Sequence, residues 1–476
     1  MSDTNGESYE ATEQDVQRLL ATFDKLLHGV RPMNGDSELR ERVTAHLGME
    51  PDALPSVSER LTPPDHVNLQ LAIEAHDGDT EVIGLNQEVS HYHGANLTSL
   101  VSGRFRGPDM TAPVTWIALP TDVGETHRCA HSAIWLTSLD GKPLVASLLQ
   151  VERGPMPELL FEAMAADEET AESFLGRVAE LRHELNVFRG KTLAFSFSEH
   201  GQFGLDFVDL PKVGRDEVIL PEEDLAAIER HTIGISSRAQ ALLDAGQHLK
   251  RGLLMYGPPG TGKTHTISYL TQAMPGRTTI ILQGASSYAI GQAAAIARSF
   301  PPATIVIEDV DLVAHDRGMP GMGDNPILFQ LLNEMDGLAD DTDLLFILTS
   351  NRPEVLEPAL AARPGRVDQA VEIGKPNKAA LVALLDLYLS DLEHSIGDLD
   401  AIADRLDGVT ASFVKELSRR ALLRSIENDC PLDQDCVDDA VTDLLEHSAP
   451  VTRTSLGAAD PPDHMGGMGG PSPFDY

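Results

Sequence analysis

The chain is predicted to be an α/β protein: a parallel sheet with flanking helices, a small helical domain after it and a mixed α/β domain before it. Three observations predict this. Beyond Pro221, short apolar runs (RGLLMYG, TTIILQG, ATIVIED, DLLFILTS) alternate with segments of helical spacing, as strands joined by crossover helices do. From about 377 to 446 the apolar spacing is helical only. Between 67 and 152 the stretches VNLQLAIEA, VTWIALP and HSAIWLTSL look strand-like, and Asp140 with Gly141 is a hairpin turn signal.

In chain order, residues 1–50 form an acidic tail and a helical segment. Within 13 to 47, Val16, Leu19, Leu20, Phe23, Leu26 and Leu27 recur at helical spacing, with a break near 32–35. The stretch PDALPSVSERLTPPDH (51–66) reads as a linker. Residues 60–215 are expected to be one mixed α/β domain, with a charged helix at roughly 167–186 and two further short strands, KTLAFSFS and FGLDFVDL. The sheet domain is expected at 216–376 and the helical domain at 377–448. The Gly-, Met- and Pro-rich segment 449–476 is expected to be disordered, with a docking peptide as the alternative.

The composition limits the partners. A net charge of −38 and a pI near 4.6 describe a surface that repels nucleic acid and anionic lipid. Cys129, Cys430 and Cys436 are too few for a disulfide framework and point to a reducing cytoplasm. The polar N-terminus lacks the regions of a signal peptide, and no apolar run approaches the ~20 residues of a membrane span.

The segment GPPGTGKT (257–264) follows an apolar strand and precedes a helical stretch. That context is required of a phosphate-binding loop. Its glycines let backbone N–H groups turn toward phosphate oxygens, and the following helix adds the positive end of its dipole. Lys263 is expected to reach the β- and γ-phosphates, and the Thr264 hydroxyl to ligate Mg²⁺. Downstream, an apolar strand ends in Glu308 and Asp309. Nucleotide chemistry needs one carboxylate there for hydrated Mg²⁺ and another to orient the attacking water. A third strand runs into Asn351, whose amide can bond that water or the γ-phosphate. Arg363 and Arg366 flank a Pro-Gly turn and suit the charge on a transferring phosphate.

These residues resemble the AAA clade of the AAA+ ATPases. The resemblance covers about 215–446 and rests on GPPGTGKT, IVIEDVD, LLNEMDGL (331–338), TSNRPEVLEPAL (349–360) and RPGRVDQAVEI (363–373), in that order. It implies an AAA+ P-loop NTPase module with a helical lid. It implies that Gly257, Pro258, Pro259, Gly260, Thr261, Gly262, Lys263, Thr264 and His265 bind ATP, with Thr264 and Glu308 on Mg²⁺. It also implies Walker B roles for Glu308 and Asp309, sensor 1 at Asn351 and arginine fingers at Arg363 and Arg366. Ile233 and Gly234 match the adenine-contacting segment, and Tyr388 stands where relatives often have a ribose-contacting His. A homo-oligomer, usually a ring of six, is the implied assembly.

The sequence departs from the family at several points. Walker B reads Glu308-Asp309 rather than Asp-Glu, which shortens the expected base by one methylene. Thr232 stands where Asp is common, and 408–413 reads GVTASF where the family has G-[FY]-S-G-A-D. The pore-loop aromatic is displaced: Tyr288 is three residues before Gly291, and Ala289 takes the usual position. Tyr288 either grips a chain in the pore or packs at a helix start. A zinc site from His127, Cys129 and His131 with His91 and His93 is a further alternative.

The expected function is a cytoplasmic, ring-forming ATPase that remodels a protein partner held by the N-terminal domain, without nucleic acid or a membrane span. The alternative is a nucleotide-gated binding module or scaffold that hydrolyses ATP slowly.

Overall fold

The computed structural model describes residues 35–86, 95–101, 111–152, 157–197, 203–284, 289–313, 334, 342–354 and 367–447. The chain divides into two units, Met1–Val187 with Ser198–Phe203 and Phe188–Phe197 with Gly204–Tyr476.

The first unit contains, in order, α1 (Gly35–Leu47), β1 (Ser56–Leu61), α2 (Asp65–Glu74), β2 (Glu81–Leu85), α3 (Leu97–Val101), β3 (Thr111–Ala112), β4 (Trp116–Asp122), β5 (Glu125–Ala130), β6 (Ala133–Leu139), β7 (Lys142–Glu152), β8 (Pro157–Ala165) and α4 (Glu168–Glu184). Six strands form an antiparallel sheet ordered β1-β8-β7-β6-β2-β3, and β4 and β5 form a separate hairpin. Strand alternation gives this sheet two apolar faces. Leu144, Ala146 and Leu148 of β7 pack with Leu69 and Ile73 of α2 and Phe174 and Val178 of α4. Val145 and Leu149 pack instead with Leu39 and Val43 of α1 and Leu97 and Leu100 of α3. The β6–β7 turn is the expected one, with positive φ at both Asp140 (51°) and Gly141 (76°), the requirement of a two-residue type I′ turn.

Two expectations fail in this unit. VNLQLAIEA lies in helix α2, not in a strand. Val67, Leu69, Leu71 and Ile73 imitate a two-residue period because nearly every side of this helix is buried, His66, Asn68 and Gln70 included. A helix without a solvated face loses its 3.6-residue signature. The segment 51–66 is not a linker. It holds a 3-10 turn at Pro51–Ala53 and the strand β1, paired with β8 from Ser56↔Met164 to Leu61↔Leu159. Helix α1, assigned to the tail region, is likewise part of this core.

The second unit contains β9 (Thr192–Phe197), β10 (Phe203–Phe207), α5 (Glu222–Glu229), α6 (Ala239–Asp244), β11 (Arg251–Tyr256), α7 (Lys263–Ala273), β12 (Thr278–Leu282), α8 (Ile290–Ser299), β13 (Ala303–Ile307), α9 (Val310–Val313), β14 (Leu344–Ser350), β15 (Gln369–Glu372), α10 (Lys378–Leu389), α11 (Leu399–Arg405), α12 (Ala411–Glu427) and α13 (Gln434–Thr442). A seven-stranded sheet runs β10-β9-β12-β13-β14-β11-β15. Every pairing from β9 to β15 is parallel. Strands β12, β13 and β14 are buried along their whole length, as central strands of such a sheet must be. Helices α10 to α13 close a separate apolar core around Leu385, Phe413, Leu417 and Val437.

The expected boundary at 215/216 is corrected here. Strand β9 pairs with β12 through Thr192↔Thr279 and Ala194↔Ile281, and β10 follows it at the sheet edge. Both strands therefore belong to the sheet domain.

Candidate functional site

Parallel strands bring their carboxyl ends to one edge of the sheet, where ligands of open α/β folds bind. Because β14 lies between β13 and β11, the chain leaving β14 is flanked by the acidic end of β13 and by the glycine loop after β11.

The loop backbone needs its glycines. Gly257 has φ 147°, and a Cβ there would lie 2.2 Å from the Ile373 carbonyl oxygen. Gly260 has φ 78°, and its Cβ would lie 2.9 Å from Ser412 Oγ. Gly262, at φ 108°, precedes the first residue of α7. The first amides of that helix have no intrahelical acceptor and face the loop with the positive dipole end.

Lys263 is buried, at 7% exposure. Its ammonium donates to the carbonyl oxygens of Gly257 (2.8 Å) and Pro258 (2.9 Å). Burial lowers its pKa, and Asp309 and Asp311 oppose that shift. Thr261 Oγ1 closes the same turn onto Pro258 O at 2.9 Å. Pro259, also expected to bind ATP, follows Pro258 in this loop.

The two carboxylates have different partners. Glu308 Oε1 accepts from the Thr264 hydroxyl at 2.8 Å, and its other oxygen accepts from the Gln283 amide. Asp309 has φ 50°, a left-handed backbone that Asp tolerates. Its N–H donates to Thr349 Oγ1 (3.0 Å), and its Oδ1 accepts from the Asn351 side-chain amide (2.8 Å). The structure thus brings Lys263, Thr264, Glu308, Asp309 and Asn351 to one edge.

A Mg²⁺ ion fits this arrangement. Thr264 Oγ1 and Glu308 are already in contact, and Mg²⁺ usually takes one or two protein oxygens together with water and substrate phosphates. Among the described residues no group of three or more His, Cys, Asp or Glu could hold a metal by itself.

Three contributors escape sequence reasoning. Asp311, buried at 3%, accepts from Ser350 Oγ and from the Asn351 N–H, both at 2.9 Å, and so fixes the turn that presents Asn351. Gln283 steadies Glu308. The helical domain reaches the loop through Ser412 N–H, which donates to Gly260 O at 3.0 Å. The only signal for these in the sequence is their place inside or beside matched segments.

The other expected site residues have the following surroundings. His265 Nε2 bonds Glu217 O at 3.2 Å. Ile233 and Gly234 lie in a π turn at Arg230–Gly234, with Ile233 packed against the cluster that includes Leu253, Met255 and Ile347. Tyr388 packs on the core of the helical domain, and burial raises its pKa. Arg363, Arg366 and Tyr288 lie outside the described residues. Of the alternative zinc set, His127 bonds Glu74 at 2.9 Å, Cys129 is buried with its thiol pushed up to about 12, and His91 and His93 lie outside the described residues.

Residues 253–375 match the model of the ATPase family associated with various cellular activities (AAA). Among curated proteins, the chain is 31% identical over 283 residues to the ATP-dependent zinc metalloprotease FtsH of Rhodococcus erythropolis, covering 53% of this chain and 31% of that one. It is 31% identical over 211 residues to 26S proteasome regulatory subunit 10B of Dictyostelium discoideum, covering 41% and 53%. It is 30% identical over 234 residues to protein CdcH of Halobacterium salinarum, covering 47% and 31%. The chain therefore spans about a third to a half of the length of these relatives. Among the described residues no helix is long and apolar enough to cross a membrane.

Proposed function

We propose that this chain, whose residues 253–375 match the AAA family model, binds Mg·ATP and hydrolyses it to ADP and phosphate. The observation that carries this reading is the convergence of buried Lys263, the Thr264–Glu308 contact and the Asp309–Asn351 contact on one sheet edge.

Each residue then has a physical task. The loop 257–264 cradles the phosphate chain with its amides, and Lys263 exchanges its two carbonyl partners for phosphate oxygens. Thr264 and Glu308 would hold Mg²⁺, which when bound supplies positive charge to the β- and γ-phosphate oxygens. Asp309, oriented by Asn351, accepts the proton of the attacking water. Arg363 and Arg366 would reach ATP held by a neighbouring copy in a homo-oligomeric ring. Work on a protein partner, gripped through the first unit in the cytoplasm, completes the proposal. The FtsH, proteasome-subunit and CdcH similarities favour such a motor.

A slower, switch-like use of the same site is the second reading. It is favoured by the short carboxylate at Asp309, already engaged by Asn351. Steady-state phosphate release separates binding from hydrolysis. We expect Mg²⁺-dependent turnover, falling at least about 10²-fold in Lys263→Ala. Wild-type protein that binds ATP with no turnover, with and without partner proteins, would favour the switch.

A further inference from the structure

The helical domain holds two free cysteines close together. Cys430 follows the end of α12, and Cys436 lies in the first turn of α13. Their sulfurs are 3.7 Å apart. Closing to a disulfide requires the two sulfurs to approach from this distance to about 2.05 Å.

The surroundings hold the two thiols in register. Cys430 N–H donates to Ser425 O at 3.0 Å, and the Ser425 hydroxyl returns to Cys430 O at 2.5 Å. Cys436 N–H is capped by Asp433 Oδ1 at 3.1 Å. The two sulfurs differ in access: Cys430 is half-buried, and Cys436 is buried at 6% against the helical core. The remaining cysteine, Cys129, lies fully buried in the other unit.

We propose that Cys430 and Cys436 form a reversible dithiol–disulfide couple, oxidised by low-molecular-weight disulfides. The accessible Cys430 thiolate attacks one sulfur of the small disulfide, forming a mixed disulfide and expelling one thiolate. Cys436 then loses its proton and attacks the Cys430 sulfur, expelling the second thiolate. Two protein thiols are oxidised to one disulfide, and one small disulfide is reduced to two thiols. The cross-link ties the end of α12 to the start of α13. Reducing conditions open it again, as expected of cytosolic disulfides that act transiently.

The test treats the folded, full-length protein with oxidised glutathione and follows intact mass and peptide maps. Wild type should become lighter by two hydrogens, carry the 430–436 cross-link and no lasting adduct, and revert with reduced glutathione. Cys436→Ser or Cys436→Ala should stop at a glutathione adduct on Cys430. Cys430→Ser should react at least about tenfold more slowly, because Cys436 is buried. Circular dichroism establishes that each variant is folded. A lasting adduct on wild-type Cys430, a bond to Cys129, or two free thiols at equilibrium with excess oxidant would each overturn the proposal.

Discussion

Lys263 shows how much a single buried side chain depends on its neighbours. Its ammonium is shielded from water yet held by two carbonyls and by the field of Asp309 and Asp311. The histidines of the first unit show the opposite case. His66 is 3% exposed and its Nε2–H donates to Ala130 O at 2.8 Å; burial lowers its pKa against the opposing effect of that bond, with like charge from His131 adding to the lowering. His131 is lowered by burial too. The unfolded chain therefore binds more protons than the folded one as pH falls below about 6.5, and stability is lost in that direction. Each such histidine can remove at most about 1.4 kcal/mol per pH unit there. Thermal melts of wild type between about pH 7.5 and 5.5 should show this loss, and His66→Gln, which keeps a donor toward Ala130, should show less of it. Residue by residue, the loop and the acidic pair at the end of β13 were legible because their spacing is local. Asp311 was not, because its partners Ser350 and Asn351 lie about 40 residues downstream and only the sheet brings them near.

At the scale of elements, the same distinction between local and distant information explains the misplaced boundary. The sequences of β9 and β10 identify strands, but not the sheet they join. That depends on β12, whose Thr279 and Ile281 meet Thr192 and Ala194 across the ladder. Helix α2 looks like a strand in sequence for a related reason, since burial on nearly all sides erases its period. A practical consequence follows for the second unit. A fragment beginning at Phe188 keeps β9 on the edge of β12. One beginning at Asp216 leaves that apolar edge unpaired, a template for association. We expect the longer fragment to be monodisperse with a cooperative melt, and the shorter one to aggregate or melt at lower temperature. Size-exclusion chromatography and calorimetry compare them directly.

At the scale of the whole molecule, the proposed motor needs more than one chain. Lys263 serves the loop of its own subunit, whereas Arg363 and Arg366 are assigned to a neighbour's ATP. Lys263→Ala and Arg363→Ala proteins should each be inactive alone. Mixed in equal amounts, they should regain part of the wild-type turnover, because some interfaces then combine an intact loop with an intact arginine. No recovery, with mixed assembly shown by differential tagging, would remove the shared site. On the proposed mechanism the rate depends on the exchanged acidic pair, with Glu308 beside Thr264 proposed for the metal and Asp309 beside Asn351 proposed for water. ATP binding and single-turnover phosphate release by Asp309→Asn, beside Glu308→Gln, test that assignment most directly. The account predicts that Asp309→Asn binds ATP as wild type does and releases phosphate about 10²–10⁴-fold more slowly. Undiminished release by Asp309→Asn, with the loss appearing in Glu308→Gln instead, would contradict it.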